Sequence, residues 1–191
     1  MKIVFLQQLV YEWQAPMIFS AIAKSKGHIT IMHIVSNPRH AAQYAINAEA
    51  DLIVFASITS GNIEYVYACA KEIKKACNIP IIAGGPHISL YHDQISMKEI
   101  DYLGIGEGEL TFSALLDHLE KKIEIESIPG IVYVRNSQRI VNKPQYVINI
   151  DELPVVDRDL YYKYFLLRKE KVRMFYSGRG CLYHCSYCCV P

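Results

Sequence analysis

The sequence predicts an α/β fold with a doubly wound parallel sheet over roughly residues 1–125. Two observations support this prediction. Several short runs rich in valine and isoleucine are too continuously apolar for half-exposed strands, which indicates strands buried on both faces. Segments with helical periodicity lie between these runs, and strands that alternate with helices indicate a parallel sheet with helices on both sides.

The elements follow from the same patterns. The five predicted strands cover residues 3–6, 29–35, 52–58, 79–83 and 102–105. The predicted helices cover 16–26, 38–48, 62–77, a weak one near 92–98, and 107–122. The third helix is the clearest, because its apolar residues fall on one stripe. Together these elements predict a flavodoxin-like or Rossmann-like sheet with five strands.

The texture changes after residue 125. Residues 130–134 and 139–141 flank four turn residues and predict a β-hairpin, which an extended segment at 144–150 follows. A short aromatic-rich helix is predicted to end near Leu167, and residues 172–176 read as one more strand. We therefore interpret residues 126–170 as a linker with hairpin and helical structure, and residues 171–191 as the start of another domain.

Composition limits the classes of partner. The chain has 20 lysines and arginines against 19 aspartates and glutamates, and the positive residues are scattered. This balance gives no electrostatic footprint for nucleic acid or an anionic membrane. No uninterrupted apolar run is long enough to span a bilayer, and the apolar residues at 1–8 run out too soon for a secretory signal, so we expect none. We expect a cytoplasmic protein with small-molecule partners, in which Cys69 and Cys77 are buried small hydrophobic residues.

Three cysteines near the carboxyl end suggest a metal cluster. Cys181, Cys185 and Cys188 form a C-x-x-x-C-x-x-C run. Cysteine thiolates hold iron–sulfur clusters, and three ligands on a four-iron cube leave one iron open. Structural zinc normally takes four ligands from two separated pairs, and the sequence has no second pair upstream, so zinc is disfavoured. The adjacent Cys189 is interpreted as a spectator.

The loops that follow the predicted strands carry the most unusual residues. In open parallel sheets, ligands bind beyond the carboxyl ends of the strands. Small residues let a bulky ligand approach the backbone, hydroxyl groups and helix-start amides hydrogen-bond it, and aromatic rings cover an apolar face. These loops predict a site for a large, partly flat cofactor. The candidate binding residues are Leu9, Tyr11, Ser57, Thr59, Ser60, Gly84, Gly85, His87, Gly106, Glu107 and Gly108.

The cysteine run resembles the cluster loop of the radical S-adenosylmethionine (SAM) enzymes. Tyr187 precedes the third cysteine and the pair Arg179–Gly180 precedes the first, as is usual in that family, whereas Leu182 replaces a common proline. The loop motifs are similar to those of the cobalamin-binding domain that precedes the barrel in many of these enzymes. They are Ser-x-Thr at 57–59, Gly-Gly-Pro-His at 84–87, Gly-Glu-Gly-Glu at 106–109 and Leu-Pro-x-x-Asp-Arg-Asp at 153–159. The resemblance covers essentially the whole chain.

The resemblance implies three cofactors. Cobalamin would bind at the strand-end loops without a protein imidazole on cobalt, since the loop after the first strand has no histidine. Cys181, Cys185 and Cys188 would hold a [4Fe–4S] cluster whose open iron binds SAM. An electron donor such as flavodoxin or ferredoxin would supply the electron that cleaves SAM to a 5′-deoxyadenosyl radical. The expected reaction is methyl transfer to, or rearrangement at, an unactivated carbon of a small-molecule substrate.

The resemblance also implies missing parts. A radical SAM barrel would need on the order of 200 more residues, so we interpret the chain as the amino-terminal portion of a larger enzyme or a truncated gene, not competent alone. Residues 172–176 would then lack a strand to pair with, and we expect the last twenty or so residues to be poorly ordered or packed in a non-native way.

Two other functions stay open. The chain could be a corrinoid-binding module with no catalysis of its own. Alternatively, the loop at 57–62 resembles the phosphate loop of flavodoxins, which would make the chain a flavin-binding electron carrier. The flavodoxin loop follows the first strand, however, and this one follows the third. The glycines at 104, 106 and 108 do not form a dinucleotide-binding motif, and Glu107 and Glu109 would repel a pyrophosphate.

Overall fold

A parallel sheet forms the centre of the molecule. The computed structural model describes residues 1–147, 149–176 and 178–188. Its parallel strands are β1 (Lys2–Gln7), β2 (Ile29–Ile34), β3 (Leu52–Phe55), β4 (Ile81–Gly84) and β5 (Tyr102–Gly104). They lie in the order β2-β1-β3-β4-β5, which is the flavodoxin-like order. The predicted doubly wound parallel sheet is therefore confirmed.

The hairpin extends this sheet, so the prediction of five strands was too low. Strands β6 (Ile131–Arg135) and β7 (Gln138–Val141) continue the sheet to seven strands. Strand β6 runs antiparallel to β5 and pairs Ile131 with Gly104 and Val132 with Leu103. Both Ile131 and Val132 are fully buried. Covering the apolar edge of β5 removes a row of unpaired backbone groups, which explains why the hairpin docks there.

Helices cover both faces of the sheet. They are α1 (Gln14–Ser25), α2 (Ala41–Asn47), α3 (Ile63–Ala76), α4 (Pro86–Tyr91), α5 (Gly108–Leu119) and α6 (Phe165–Lys169). Helices α2, α3 and α4 pack on one face through residues such as Ala45, Val66 and Ile88. Helices α1 and α5 pack on the other face through Met17 and Phe112, among others. None of the helices in the described ranges is long and apolar enough to cross a membrane.

The weak helix predicted at 92–98 is wrong. Helix α4 begins earlier, at Pro86, and ends at Tyr91. The Arg139 guanidinium group on β7 donates hydrogen bonds of 2.5 to 2.6 Å to the carbonyl oxygens of His92, Asp93 and Ile95. Because these carbonyls are bound to an arginine from the hairpin, they do not accept the bonds of a continuing helix.

The segment after the hairpin returns to the α1 face. It contains short 3₁₀ turns at Ile150–Glu152 and Arg158–Leu160 and then α6, so the single helix predicted to end near Leu167 is divided. The predicted strand at 172–176 does not form, since no strand among the described residues pairs with it. The expectation of poor order at the carboxyl end stays a prediction. Cys189 lies outside the described residues.

Candidate functional site

Two of the predicted loops are joined through a single residue, Ile58. The Ile58 amide donates to the Gly84 carbonyl oxygen at 3.0 Å, and the His87 amide donates to the Ile58 carbonyl oxygen at 3.0 Å. The loop after β3 is therefore tied to the loop after β4 by backbone hydrogen bonds. This pairing extends the edge of the sheet beyond the carboxyl ends of the two strands.

The close approach of these loops requires glycine at position 85. Gly85 has φ of 138°, a conformation that L side chains rarely adopt. A Cβ atom at this position would lie 2.2 Å from the Ile58 amide nitrogen. Ser57, which precedes Ile58, also has a positive φ of 60°. The backbones of the two loops are thus in direct contact at Gly85 and Ile58.

A cleft of about 130 Å³ opens beside these loops, between the sheet and helices α1 and α5. Its walls are mostly apolar, and none of the described residues that line it carries a charge. Such a cleft suits a flat apolar or aromatic group that a few hydroxyl and backbone groups orient. It is lined by Ala15, Phe19, Val54, Phe55, Ser57, Ile82, Gly84, Gly85, Pro86, Gly104, Gly106, Gly108, Thr111 and Phe112.

Aromatic rings from two helices form one wall of the cleft. Phe19 of α1 stacks on Phe112 of α5, with ring centroids 4.9 Å apart and planes inclined by 22°. Gly108 lies against this pair, because a Cβ atom there would come within 2.4 Å of Phe19 Cζ. The absence of a side chain at Gly108 therefore lets α1 and α5 approach each other at the mouth of the cleft.

The loop after β1 is shaped by hydrogen bonds to its ends. The Gln7 side-chain amide donates to the carbonyl oxygens of Leu9 and Tyr11, at 2.5 and 2.7 Å. The hydroxyl group of buried Tyr161 donates to Gln7 Oε1 at 2.6 Å. Leu9 and Tyr11 themselves are exposed, by 56% and 38%. The loop thus presents apolar side chains to the outside while its backbone is held from below.

A carboxylate in the same loop is held between two arginines. Glu12 Oε2 pairs with Arg158 Nη1 at 2.9 Å, and Glu12 Oε1 pairs with Arg173 Nη1 at 3.1 Å. Arg158 also donates to the Met174 carbonyl oxygen at 2.7 Å and packs over the Phe175 ring. Residues 158–175 are therefore bound to the β1 loop through Glu12.

His87 and His33 have structural partners. His87 Nδ1 and Ser60 Oγ are hydrogen-bonded at 2.9 Å, which again joins the loops after β3 and β4. His33 on β2 lies 4.5 Å from the Tyr44 ring, and burial lowers the pKa of its imidazole to about 4. None of the histidines in the described part of the chain lines the cleft.

The loop after β5 divides its residues between the cleft and a charged cluster. Gly106 and Gly108 line the cleft. The Glu107 carboxylate accepts a hydrogen bond from the Val147 amide at 2.8 Å and lies 3.3 Å from Arg179. Glu109 pairs with Arg179 at 2.5 Å. Glu107 was a candidate cofactor ligand, but its carboxylate contacts these protein groups and does not line the cleft.

The structure does not bring the three cysteines together as a metal site. The side chains of Cys181, Cys185 and Cys188 are exposed, and a turn joins the Cys188 amide to the Cys185 carbonyl oxygen at 3.0 Å. Across the described ranges, no group of three or more cysteine, histidine or carboxylate residues is close enough to hold a metal ion. The metal assignment of these cysteines stays a prediction from their spacing.

The structure thus gathers part of the predicted site. Ser57, Gly84, Gly85, Gly106 and Gly108 line one cleft. Thr59 and Ser60 are exposed in the joined loops, and Leu9 and Tyr11 lie in the β1 loop. Sequence reasoning missed the walls of the cleft. No sequence pattern distinguishes Phe19 and Phe112 from aromatic residues of the core. Gly104 could have been found, because it begins a series of alternating glycines that continues at Gly106 and Gly108.

The family model described as the B12 binding domain matches residues 13–116 of the chain, which is more than half of its length. The match includes the loops after β3, β4 and β5, helix α1, and α5 as far as Leu116. It ends before the hairpin, the linker and the cysteine run.

Relatives with longer chains contain a similar region. The chain is 31% identical over 152 residues to an uncharacterised methyltransferase of Pyrococcus horikoshii, covering 73% of this chain and 31% of that protein. The cobalamin-dependent SAM radical enzyme OxsB, solved with aqua-cobalamin and SAM, superposes with a TM-score of 0.73 at 16% identity, over 87% of this chain and 25% of that one. The radical SAM methyltransferase TsrM from Kitasatospora setae, solved with cobalamin and a [4Fe–4S] cluster, gives 0.64 at 11% identity, over 80% and 31%. The chain therefore spans a quarter to a third of these proteins.

Proposed function

Since the chain belongs to the B12-binding domain family, we propose that the cleft at the carboxyl edge of its sheet binds cobalamin. One observation carries the proposal: the cleft is uncharged, lined by glycines from two strand-end loops, and walled by stacked aromatic rings. A Cβ atom would collide with neighbouring groups at Gly85 and at Gly108. An uncharged cleft with these walls would fit a flat group, such as the base of the cobalamin nucleotide tail.

The chain's own residues would hold and cover this cofactor. Gly84, Gly85, Gly106 and Gly108 let it approach the backbone, and the Ser57 hydroxyl group is available as a hydrogen-bond partner. The exposed Leu9 and Tyr11 would cover the corrin face, in a loop that contains no histidine to bind the metal. When bound, cobalamin supplies a metal centre that can carry a methyl group, and the protein contributes position and exclusion of water.

We further propose that the chain is part of a cobalamin-dependent radical SAM enzyme. The relatives named above support this parentage, and the cysteine spacing supports a [4Fe–4S] cluster that binds SAM. The proposed reaction is methyl transfer to, or rearrangement at, an unactivated carbon of a small molecule. A cytoplasmic location and an electron donor such as flavodoxin or ferredoxin belong to the same proposal.

Corrinoid retention tests the central claim. The purified 191-residue chain is mixed anaerobically with hydroxocobalamin, desalted and examined by visible spectroscopy, with flavin mononucleotide as the parallel ligand. Retained corrinoid whose cob(II)alamin spectrum is base-off is the expected result. Retained flavin without corrinoid would replace the proposal with the flavin-carrier alternative.

A glycine variant links retention to this cleft. Gly108→Val places methyl groups against Phe19 and into the mouth of the cleft, and we expect it to weaken corrinoid binding by roughly 100-fold or more. Gly61→Val is the matched control, because a Cβ atom at Gly61 would meet only Thr59 Oγ1, at 3.8 Å. Equal affinities in two folded variants would place the cofactor elsewhere.

Iron–sulfur reconstitution separates the enzyme from the corrinoid module. The chain is reconstituted anaerobically with iron and sulfide. We expect it to gain a broad absorbance band at the violet end of the visible spectrum. The triple variant Cys181→Ala, Cys185→Ala, Cys188→Ala should lack this band. Corrinoid retention without any cysteine-dependent absorbance would favour a corrinoid-binding module without catalysis of its own.

A further inference from the structure

The sequence Gly106-Glu107-Gly108-Glu109 contributes to both the cleft and a contact with Arg179. Its two glycines line the cleft, and its two glutamates contact Arg179. Arg179 lies two residues before Cys181, so the backbone between them can span at most about 7 Å. One four-residue segment at the start of α5 therefore lines the cleft and also contacts Arg179, two residues before the cysteine run.

The Glu109 carboxylate is the stronger of the two contacts. Its side chain is only 7% exposed and lies in the first turn of α5. Its Oε1 atom accepts from Arg179 Nη2 at 2.5 Å, while its Oε2 atom has no hydrogen-bond partner within the described ranges. A buried charge without a compensating partner is costly, and Arg179 is the only cation paired with Glu109 in the part of the chain that the structure describes.

Glu107 also contacts Arg179, so the guanidinium group lies between two carboxylates. Arg179 Nη1 lies 3.3 Å from Glu107 Oε1, and Glu107 Oε2 accepts from the Val147 amide at 2.8 Å. Glu107 is thus fixed to the segment that follows the hairpin. The planar guanidinium group of arginine can contact two carboxylates at once, which the single ammonium group of lysine does less well.

We infer that Glu107 and Glu109 are positioning residues that, through Arg179, hold the start of the cysteine run beside the cleft. The inference rests on the proposed function, because the spacing between the two sites matters only if each binds its cofactor. Neither glutamate is required to touch a cofactor. Their role is to fix where Cys181 begins relative to Gly106 and Gly108.

The first test needs no cofactor. Trypsin cleaves after Arg179, and an arginine held between two carboxylates must leave them to be cut. In the Glu107→Gln, Glu109→Gln double variant, native-state cleavage after Arg179 should be roughly tenfold faster relative to cleavage after exposed Lys171, measured by mass spectrometry. Glu64→Gln is the matched control: Glu64 lies in the first turn of α3 and makes no ion pair with a described residue.

The second test measures position. A nitroxide is attached to Cys181 in a chain whose Cys77, Cys185, Cys188 and Cys189 are serine, with buried Cys69 left in place. The distance distribution between the nitroxide and bound cob(II)alamin should be narrow in this chain. The distribution should broaden with Arg179→Gln. It should broaden less with Arg179→Lys, which keeps the positive charge but loses the planar guanidinium group that contacts both carboxylates.

The outcomes are separable. If the double variant and Glu64→Gln are cleaved alike while both stay folded by circular dichroism, the glutamates do not hold Arg179 and the inference fails. Another outcome is that the double variant is cleaved faster than Glu64→Gln while Arg179→Gln leaves the nitroxide–cob(II)alamin distance distribution unchanged. In that case the ion pairs exist without positioning Cys181, and the inference also fails. Loss of corrinoid retention in the unsubstituted chain would overturn the proposed function and leave the cleavage result to decide the ion pairs.

Discussion

The hydroxyl group of Tyr161 donates a 2.6 Å hydrogen bond to the side-chain oxygen of Gln7, 154 residues earlier in the chain. Tyr161 is fully buried, and its hydroxyl oxygen also lies 3.4 Å from the Trp13 amide nitrogen. Gln7 ends β1 and its amide group holds the loop that follows. The segment that follows the hairpin therefore supports the first loop of the candidate site.

Tyr161→Phe should loosen this loop. The substitution keeps the ring but leaves Gln7 Oε1 buried without its donor, which costs about 1–2 kcal/mol of unfolding free energy. We expect the loss in urea unfolding, together with faster hydrogen exchange in residues 8–13. Tyr183→Phe, whose ring is 73% exposed, is the control and should change neither measurement. Slower or unchanged exchange in the loop would contradict the role given to Tyr161.

Gly85→Ala should strongly destabilise the fold. Its φ of 138° disfavours any side chain, and the added Cβ atom would lie 2.2 Å from the Ile58 nitrogen and 2.7 Å from its carbonyl oxygen. Both neighbours are backbone atoms that cannot rotate away. We expect a loss of about 3 kcal/mol or more in denaturant unfolding. Gly61→Ala should cost less than about 1 kcal/mol in the same assay, and an equal cost at both positions would argue against a tight joint between the two loops.

Glu12→Gln should free the linker from the β1 loop. The Glu12 side chain is 11% exposed and pairs with Arg158 and Arg173, so its neutralisation leaves two partly buried cations without their shared partner. We expect a stability loss of about 1–2 kcal/mol and faster hydrogen exchange across residues 158–176. Arg158→Lys should show an intermediate effect. If exchange in this segment does not change, its attachment does not depend on Glu12.

Stability should fall in mild acid because of His33. Burial, with a smaller contribution from the nearby Lys163, lowers the pKa of His33 to about 4 in the folded chain. The unfolded chain therefore binds more protons than the folded one between about pH 6.5 and pH 4, and acid favours unfolding across that window. His33→Gln should reduce the pH-dependent loss by on the order of 1 kcal/mol, since the ring is only half buried. Above pH 7 the slopes of the two proteins should coincide.

That effect will account for only part of the acid sensitivity. Burial also lowers the pKa of His28, which lies near the amino terminus and Glu120. A remaining slope in the His33→Gln protein is therefore expected. An unchanged slope between pH 6.5 and pH 4 would show that His33 is protonated alike in both states.

Cys69 should resist thiol reagents in the native chain. It is fully buried on α3, and burial raises the pKa of its thiol to about 11. Cys181 and Cys185 are exposed. With a disulfide reagent at pH 8, we expect modification of Cys69 to be about 100-fold slower than at the exposed positions, followed by mass spectrometry. Denaturant should abolish the difference.

The parallel sheet and one edge of the cleft could be predicted because both depend on local patterns. Continuous apolar runs identify buried strands, and the glycines after β4 and β5 necessarily come to the same edge of the sheet. The remaining features depend on residues that are distant in sequence. Arg139 reaches carbonyl groups 44 to 47 residues away and stops a helix that the local pattern favoured. Glu12 pairs with Arg173, which lies 161 residues away in the sequence, and no periodic sequence pattern predicts such a pairing.

The strand order also bears on how the chain folds during synthesis. After β3 joins β1, each later strand pairs with the one made just before it, so the sheet grows toward a single edge as the chain emerges. Domains generally fold as they are synthesised, amino-terminal parts first. Tyr161, however, must return to β1, at the opposite side of that growth. The sheet can thus form before Tyr161 has been synthesised, and the loop after β1 gains the Tyr161–Gln7 hydrogen bond only when the later segment folds back onto it.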